Sequence, residues 1–237
     1  MTEKFATIAF DADDTLWENE QFFRMTQERF AALLADFTEP DHLSERLLAA
    51  ERRNLGAYGF GIKGFVLSMI ETAIEVTEER VPASVIQELI SAGQEMLRHP
   101  IHLLDGVEET VGALAEDYEI LLVTKGDLLD QERKLAQSGL GDLFDGIEVV
   151  SAKTPAVYST IFARHNVAPE RAMMVGNSMK SDVIPPIEAG AWGVFVPHNF
   201  TWEIEHAEAP LGHPRFHELP RLTELPALIE TIQKTCA

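Results

Sequence analysis

Apolar residues gather in short runs along this chain: Ala6–Phe10, Ile120–Val123, Ile147–Val150, Ala172–Val175 and Val194–Val196. Each is strand-length and bounded by polar residues. The last four runs are separated by stretches with helical character, Leu128–Ser138, Pro155–His165 and Asp182–Ala189. Pro155 suits the first turn of a helix, where a missing N–H costs nothing. Gly139 follows Leu128–Ser138, as a helix C-terminus prefers. Strands alternating with helices predict an α/β fold, with a parallel sheet covered by helices on both faces.

The interval between the first and second runs reads differently. From about Glu18 to Arg98 one helical pattern follows another. Phe22, Phe23, Met25, Phe30, Leu33 and Leu34 make one amphipathic stretch, and Leu43, Leu47 and Leu48 belong to a second. Phe65–Val76 and Val85–Leu97 supply two more, with a turn-rich segment at Tyr58–Gly64. The expected organisation is an α/β core formed by residues 1–17 and 101–237, with an all-helical domain of residues 18–100 inserted after the first strand. Pro100 and Gly106 break the helical pattern near the second joint.

Composition narrows the possible partners. The 237 residues are 46% hydrophobic, enough for a substantial core, and the formal net charge is -20. No basic block interrupts that charge, so nucleic acid and anionic membrane are poor partners. An anionic substrate needs a local positive centre, either a metal or a few placed basic residues. One cysteine, Cys236, leaves no disulfide framework and no CxxC site. The N-terminus has no basic stretch followed by an apolar run, and no run spans a membrane, which together predict a cytoplasmic protein.

Candidate chemistry sits at the strand ends. The first run finishes in Asp11-Ala12-Asp13-Asp14-Thr15. Residues i and i+2 of a strand point the same way, so Asp11 and Asp13 project together where open parallel sheets bind ligands. Two carboxylates so close repel each other, and a hard divalent cation such as Mg²⁺ resolves the repulsion. A turn and helix cap account for Asp14 and Thr15 but not for Asp11. The second run ends in Thr124-Lys125-Gly126, where a hydroxyl and backbone donors suit a phosphate. Lys153 follows the third run and offers a point charge to a phosphate. Asn177 and Asp182 follow the fourth and offer oxygen ligands.

Asp-x-Asp-x-Thr, a strand-terminal Thr, a Lys, and Gly-Asn-Ser with a later Asp, in that order, resemble the haloacid dehalogenase superfamily. The four motifs span Phe5 to about Val196, and the helical insertion resembles that superfamily's cap. The resemblance implies a doubly wound, Rossmann-like core with a mobile helical cap. It also implies Asp11 as nucleophile and Asp13 as general acid/base. Thr124, Lys125 and Lys153 stand at substrate-binding positions, and Asp11, Asp13, Asn177 and Asp182 at metal-binding ones. Three residues depart from the usual pattern: Asn177 stands where Asp is usual, Asp14 where Gly is commonest, and Lys125 where Asn is common.

The implied activity is Mg-dependent hydrolysis of a small phosphorylated metabolite through an aspartyl-phosphate. For Asp13 to donate a proton, its pKa has to rise, which a neighbouring carboxylate can cause. An aspartate at position 13 favours a phosphomonoester hydrolase or a phosphomutase over a dehalogenase. A non-catalytic binding protein on a phosphatase scaffold is the alternative from another class. Trp17, Phe22, Arg24 and Lys63 are candidates for substrate selection by the cap. His206, His213 and His217 lack a tight metal-ligand spacing and read as surface or edge packing. Pro226–Lys234 reads as a helix returning to the core.

Overall fold

The computed structural model describes residues 4–235, so Cys236 lies outside the described residues. In chain order, strand β1 (Thr7–Phe10) is followed by helices α1 (Glu20–Leu33), α2 (Pro40–Tyr58), α3 (Ile62–Val76) and α4 (Ala83–Arg98). The chain then runs through α5 (Val107–Ala115), β2 (Glu119–Lys125), α6 (Leu128–Ser138), β3 (Gly146–Val150) and α7 (Pro155–Arg164). It continues through β4 (Ala172–Gly176), α8 (Ile184–Glu188), β5 (Trp192–Phe195), β6 (Phe216–Glu218) and α9 (Leu225–Thr235).

Two compact units result. Among the described residues, one comprises 4–18, 101–125 and 131–235, and the other Asn19–Pro100 with Gly126–Asp130. The short Gly126–Asp130 stretch, which the sequence pattern assigns to the α/β part, groups with the helices. Lys63 of α3 is salt-bridged to Asp127 at 2.9 Å, and the first turn of α6 follows directly.

The α/β unit is built on a six-stranded sheet in the order β3-β2-β1-β4-β5-β6, and every adjacent pair is parallel. Strand residues alternate between its faces, as the pleat requires. Ile8, Phe10, Ile120, Leu122, Met173 and Val175 pack with residues of α5, α6 and α9. Ala9, Leu121, Val123, Ala172 and Met174 pack with Tyr158, Ile161 and Phe162 of α7. Both faces are therefore covered, which is why these strands read as unbroken apolar runs. The fold is the doubly wound α/β architecture expected. Strand β6 is the exception to its legibility: three residues, Phe216–Glu218, with no apolar run to announce it.

The predicted helix at Asp182–Ala189 also differs. A single wide π turn, Met179–Val183, precedes the short α8. Pro185 and Pro186 sit in the first turn of α8, the place in a helix where proline is tolerated.

The helical unit has its own core. Phe30, Leu34, Leu43, Leu47, Phe65, Met69, Leu89 and Met96 are buried together, one apolar stripe from each helix. Phe22 and Phe23 pack against that cluster, Phe22 lying 3.8 Å from the His99 ring. Among the described residues no helix is long and apolar enough to cross a membrane.

Candidate active site

Register brings the motifs to one level. Phe10 of β1 lies beside Leu122 of β2 and Val175 of β4, and the Asp11 N–H continues the ladder to the Val175 carbonyl at 2.9 Å. Asp11, Thr124 and Asn177 therefore leave three adjacent strands near the same edge. Lys153 follows β3, which pairs with β2 on the other side.

Asp11 and Asp182 are both buried, and the Lys153 ammonium bridges them. Its Nζ donates to Asp11 Oδ1 at 2.5 Å and to Asp182 Oδ1 at 2.6 Å. The other Asp182 oxygen accepts the Ser178 N–H at 2.9 Å. Gly176 makes room for this arrangement, because a Cβ there would overlap the Asp182 side chain. Two buried carboxylates share one cation, leaving one negative charge in excess. Burial first, and the Asp182 charge second, push the Asp11 carboxyl from 3.8 to about 7 against the pull of Lys153.

Asp13 behaves in the opposite way. Its carboxylate takes Trp17 Nε1 at 2.7 Å, Lys134 Nζ at 2.9 and 3.1 Å, and Gln131 Nε2 at 3.0 Å. Burial alone would raise this carboxyl. The Lys134 charge and the donors from Lys134, Gln131 and Trp17 outweigh it and hold Asp13 below the usual range. The expected rise in the Asp13 pKa is thus overturned. The neighbouring carboxylate is a weaker influence than an ammonium in direct contact. Trp17, a candidate for substrate selection, is instead fully buried and donates to Asp13.

Asn177 is buried beside these groups. Turned so that its nitrogen faces acceptors, its amide donates to Asp11 Oδ2 at 3.3 Å, Thr15 Oγ1 at 3.2 Å and the Asp13 carbonyl at 3.2 Å. What Asp13 brings to this point is its main-chain oxygen, not its carboxylate. Thr124 is almost wholly buried, and its hydroxyl makes a long 3.3 Å bond to the Lys125 carbonyl. Lys125 is tied down, with Nζ 2.6 Å from Glu205 Oε1 and 2.8 Å from Ser181 Oγ. Glu205 also accepts Ser178 Oγ at 2.6 Å and Ser181 Oγ at 2.5 Å. Although burial opposes ionisation, Lys125 and these hydroxyls lower the Glu205 carboxyl from 4.5 to about 2.

The donor set suits a hard divalent cation. Oxygens of Asp11, Asp13 and Thr15 converge on the Asn177 amide, and the uncompensated charge of the Asp11–Asp182 pair calls for a further positive group. A second group of ligand-type atoms, from Asp14, Glu18 and His198, lies within 4.8 Å of one another. There the imidazole sits between two carboxylates, with Nδ1 3.5 Å from Asp14 and Nε2 3.5 Å from Glu18. Opposite ring nitrogens face the two acids.

Sequence reasoning missed Gln131, Lys134 and Glu205. Gln131, Lys134, Leu135 and Ser138 fall at i, i+3, i+4 and i+7 of α6, so polar residues on the face of Leu135 were a usable signal. Glu205 stands in an irregular segment and gave no signal.

A doubly wound sheet with an inserted helical unit and this order of strand-end residues defines a hydrolase class. Residues 5–190 match the family profile of the haloacid dehalogenase-like hydrolases, and the chain belongs to that family. A haloacid dehalogenase-like family hydrolase from Xanthomonas campestris is 41% identical, covers 98% of this chain and 93% of its own, and superposes with a TM-score of 0.88. The HAD-hydrolase YfnB from Bacillus subtilis, solved bound to magnesium, shares the fold at 18% identity and a TM-score of 0.67, covering 96% of this chain and 100% of its own. A glyceraldehyde 3-phosphate phosphatase from Pyrococcus furiosus is 27% identical over 124 residues, 50% of this chain and 49% of that protein. The chain thus matches about half the length of that curated relative.

Proposed function

We propose that this hydrolase is a magnesium-dependent phosphomonoesterase acting on a small phosphorylated metabolite. One observation carries the reading. A buried aspartate at the end of β1 shares a lysine with a second buried aspartate, while another carboxylate stands two residues further on. The Pyrococcus phosphatase and the magnesium-bound YfnB support it.

Asp11 attacks phosphorus in line and becomes an aspartyl-phosphate. Asp13 gives a proton to the departing alkoxide and then takes one from the water that hydrolyses the intermediate. Because Asp13 is held ionised by Lys134, Gln131 and Trp17, taking up a proton requires some of those donors to loosen. Lys153 and the Thr124 hydroxyl stabilise charge on the transferred oxygens. Asp11, Asp182, Asn177 and Asp13 are the residues that would hold magnesium, Asp13 through its carbonyl and Asn177 through its amide oxygen once that side chain turns over. When bound, the ion supplies the positive charge that lets a phosphate approach Asp11. Lys125, neutralised by Glu205, lines the same strand end and gives a substrate no excess charge.

The test is phosphate release from an aryl phosphate and a panel of metabolite phosphates, with Mg²⁺ and with EDTA. Release that needs Mg²⁺ and disappears in Asp11→Asn, with the fold intact, is expected. Undiminished turnover in Asp11→Asn would remove the nucleophile assignment. Isomerisation of sugar phosphates without phosphate release would replace the hydrolase reading with a mutase.

A further inference from the structure

Asp13 is held by more donors than a surface carboxylate needs. Four contacts from three side chains meet its two oxygens. All three donor residues are buried, Trp17 completely and Gln131 and Lys134 nearly so. The oxygens are gripped from two sides, by the loop after β1 through Trp17 and by one face of α6 through Gln131 and Lys134.

Neither α6 residue is there for packing. A buried ammonium is costly unless an anion meets it, and Lys134 straddles both oxygens of Asp13. Gln131 leaves its own Oε1 buried without a partner. A methionine or leucine would fill that space without the unmet acceptor. What glutamine provides is its Nε2, which donates to Asp13 Oδ2 at 3.0 Å and to the Lys125 carbonyl at 2.9 Å. It thereby fixes the acid/base carboxylate relative to the strand end that carries Thr124.

We infer that Lys134 and Gln131 are positioning residues that set the plane and place of the Asp13 carboxylate, from which it delivers a proton to the leaving group once one of the bonds to its oxygens gives way. The inference rests on the acid/base reading of Asp13. Proton transfer demands hydrogen-bond reach to the leaving oxygen, so a carboxylate free to rotate loses rate only where the leaving group needs its proton.

Phenyl phosphate and p-nitrophenyl phosphate separate that effect from general damage. They share a shape, but phenolate leaves poorly without a proton and p-nitrophenolate leaves well. The kcat/KM of both is measured with Mg²⁺ for the intact chain and for Lys134→Met, Lys134→Arg, Gln131→Met and Asp13→Asn. Lys134→Met is expected to lose about tenfold or more on phenyl phosphate, the lost placement of the carboxylate outweighing the easier protonation of Asp13. On p-nitrophenyl phosphate it should stay within about threefold, with Lys134→Arg recovering part of the difference. Gln131→Met should lose in the same direction, and it serves alone if Lys134→Met does not fold. Equal losses on both substrates, or none, in the α6 variants while Asp13→Asn shows the selective loss would overturn the inference and leave the acid/base reading standing. No selective loss in Asp13→Asn would overturn that reading and the inference with it.

Discussion

Replacing Glu205 by glutamine should destabilise the α/β unit by an amount the structure allows to be worked out. The carboxylate is mostly buried and accepts Lys125 Nζ, Ser178 Oγ and Ser181 Oγ, all within 2.6 Å. Its pKa falls from 4.5 to about 2. Such a drop corresponds to about 3 kcal/mol of stability at neutral pH. An independent route gives a similar figure, because removing one partner of a buried ion pair typically costs about 3–5 kcal/mol. Glutamine keeps the volume but points an NH₂ group at donors and removes the negative charge from beside Lys125.

The pH dependence has a definite sign. A lowered carboxylate pKa adds stability above 4.5 that disappears as pH falls toward 2. Urea unfolding at neutral pH should therefore show a deficit of about 3 kcal/mol for Glu205→Gln, or roughly 6–12 °C in Tm. The gap between variant and parent should narrow as pH drops through 4.5. Adding Lys125→Met should recover part of the loss, since the ammonium that faced Glu205 goes with it. A variant within about 0.5 kcal/mol of the parent at neutral pH would refute the reasoning. So would a deficit unchanged on acidification.

Other outcomes follow from the same site. Gly176→Ala puts a Cβ into the Asp182 side chain, so it should cost about 1–3 kcal/mol by melting and cut the proposed phosphate release more than tenfold. In chelated protein the Asp11 carboxyl should titrate near 7 by carbon-13 NMR, and added Mg²⁺ should move it down; no movement would argue against Asp11 as a ligand. Lys63→Ala breaks an exposed pair with Asp127, so stability should change by less than about 1 kcal/mol. Unchanged catalytic efficiency in that variant would also dismiss Lys63 as a substrate contact.

Five of the six strands and the helical insertion were legible because periodicity is a property of neighbours in the chain. Buried parallel strands must be apolar on both faces, and helices must show a stripe, whatever lies across from them. The meeting of Asp11, Lys153 and Asp182 was legible for a related reason. A parallel sheet puts the ends of all its strands at one edge, so order along the chain becomes proximity in space. β6 was not legible, since three residues at a sheet edge need no apolar run.

Protonation was not legible either. Asp11 and Asp13 are two residues apart and chemically identical, yet one carboxyl is raised and the other lowered. Their environments come from residues far along the chain: Asp182 and Lys153 for the first, Gln131 and Lys134 of α6 for the second. Glu205 likewise reaches Lys125 across 80 positions. The sequence determined which groups stand at the strand ends. Only the tertiary structure decided which carboxylate meets an ammonium and which meets another carboxylate, because charge interactions depend on distance in space.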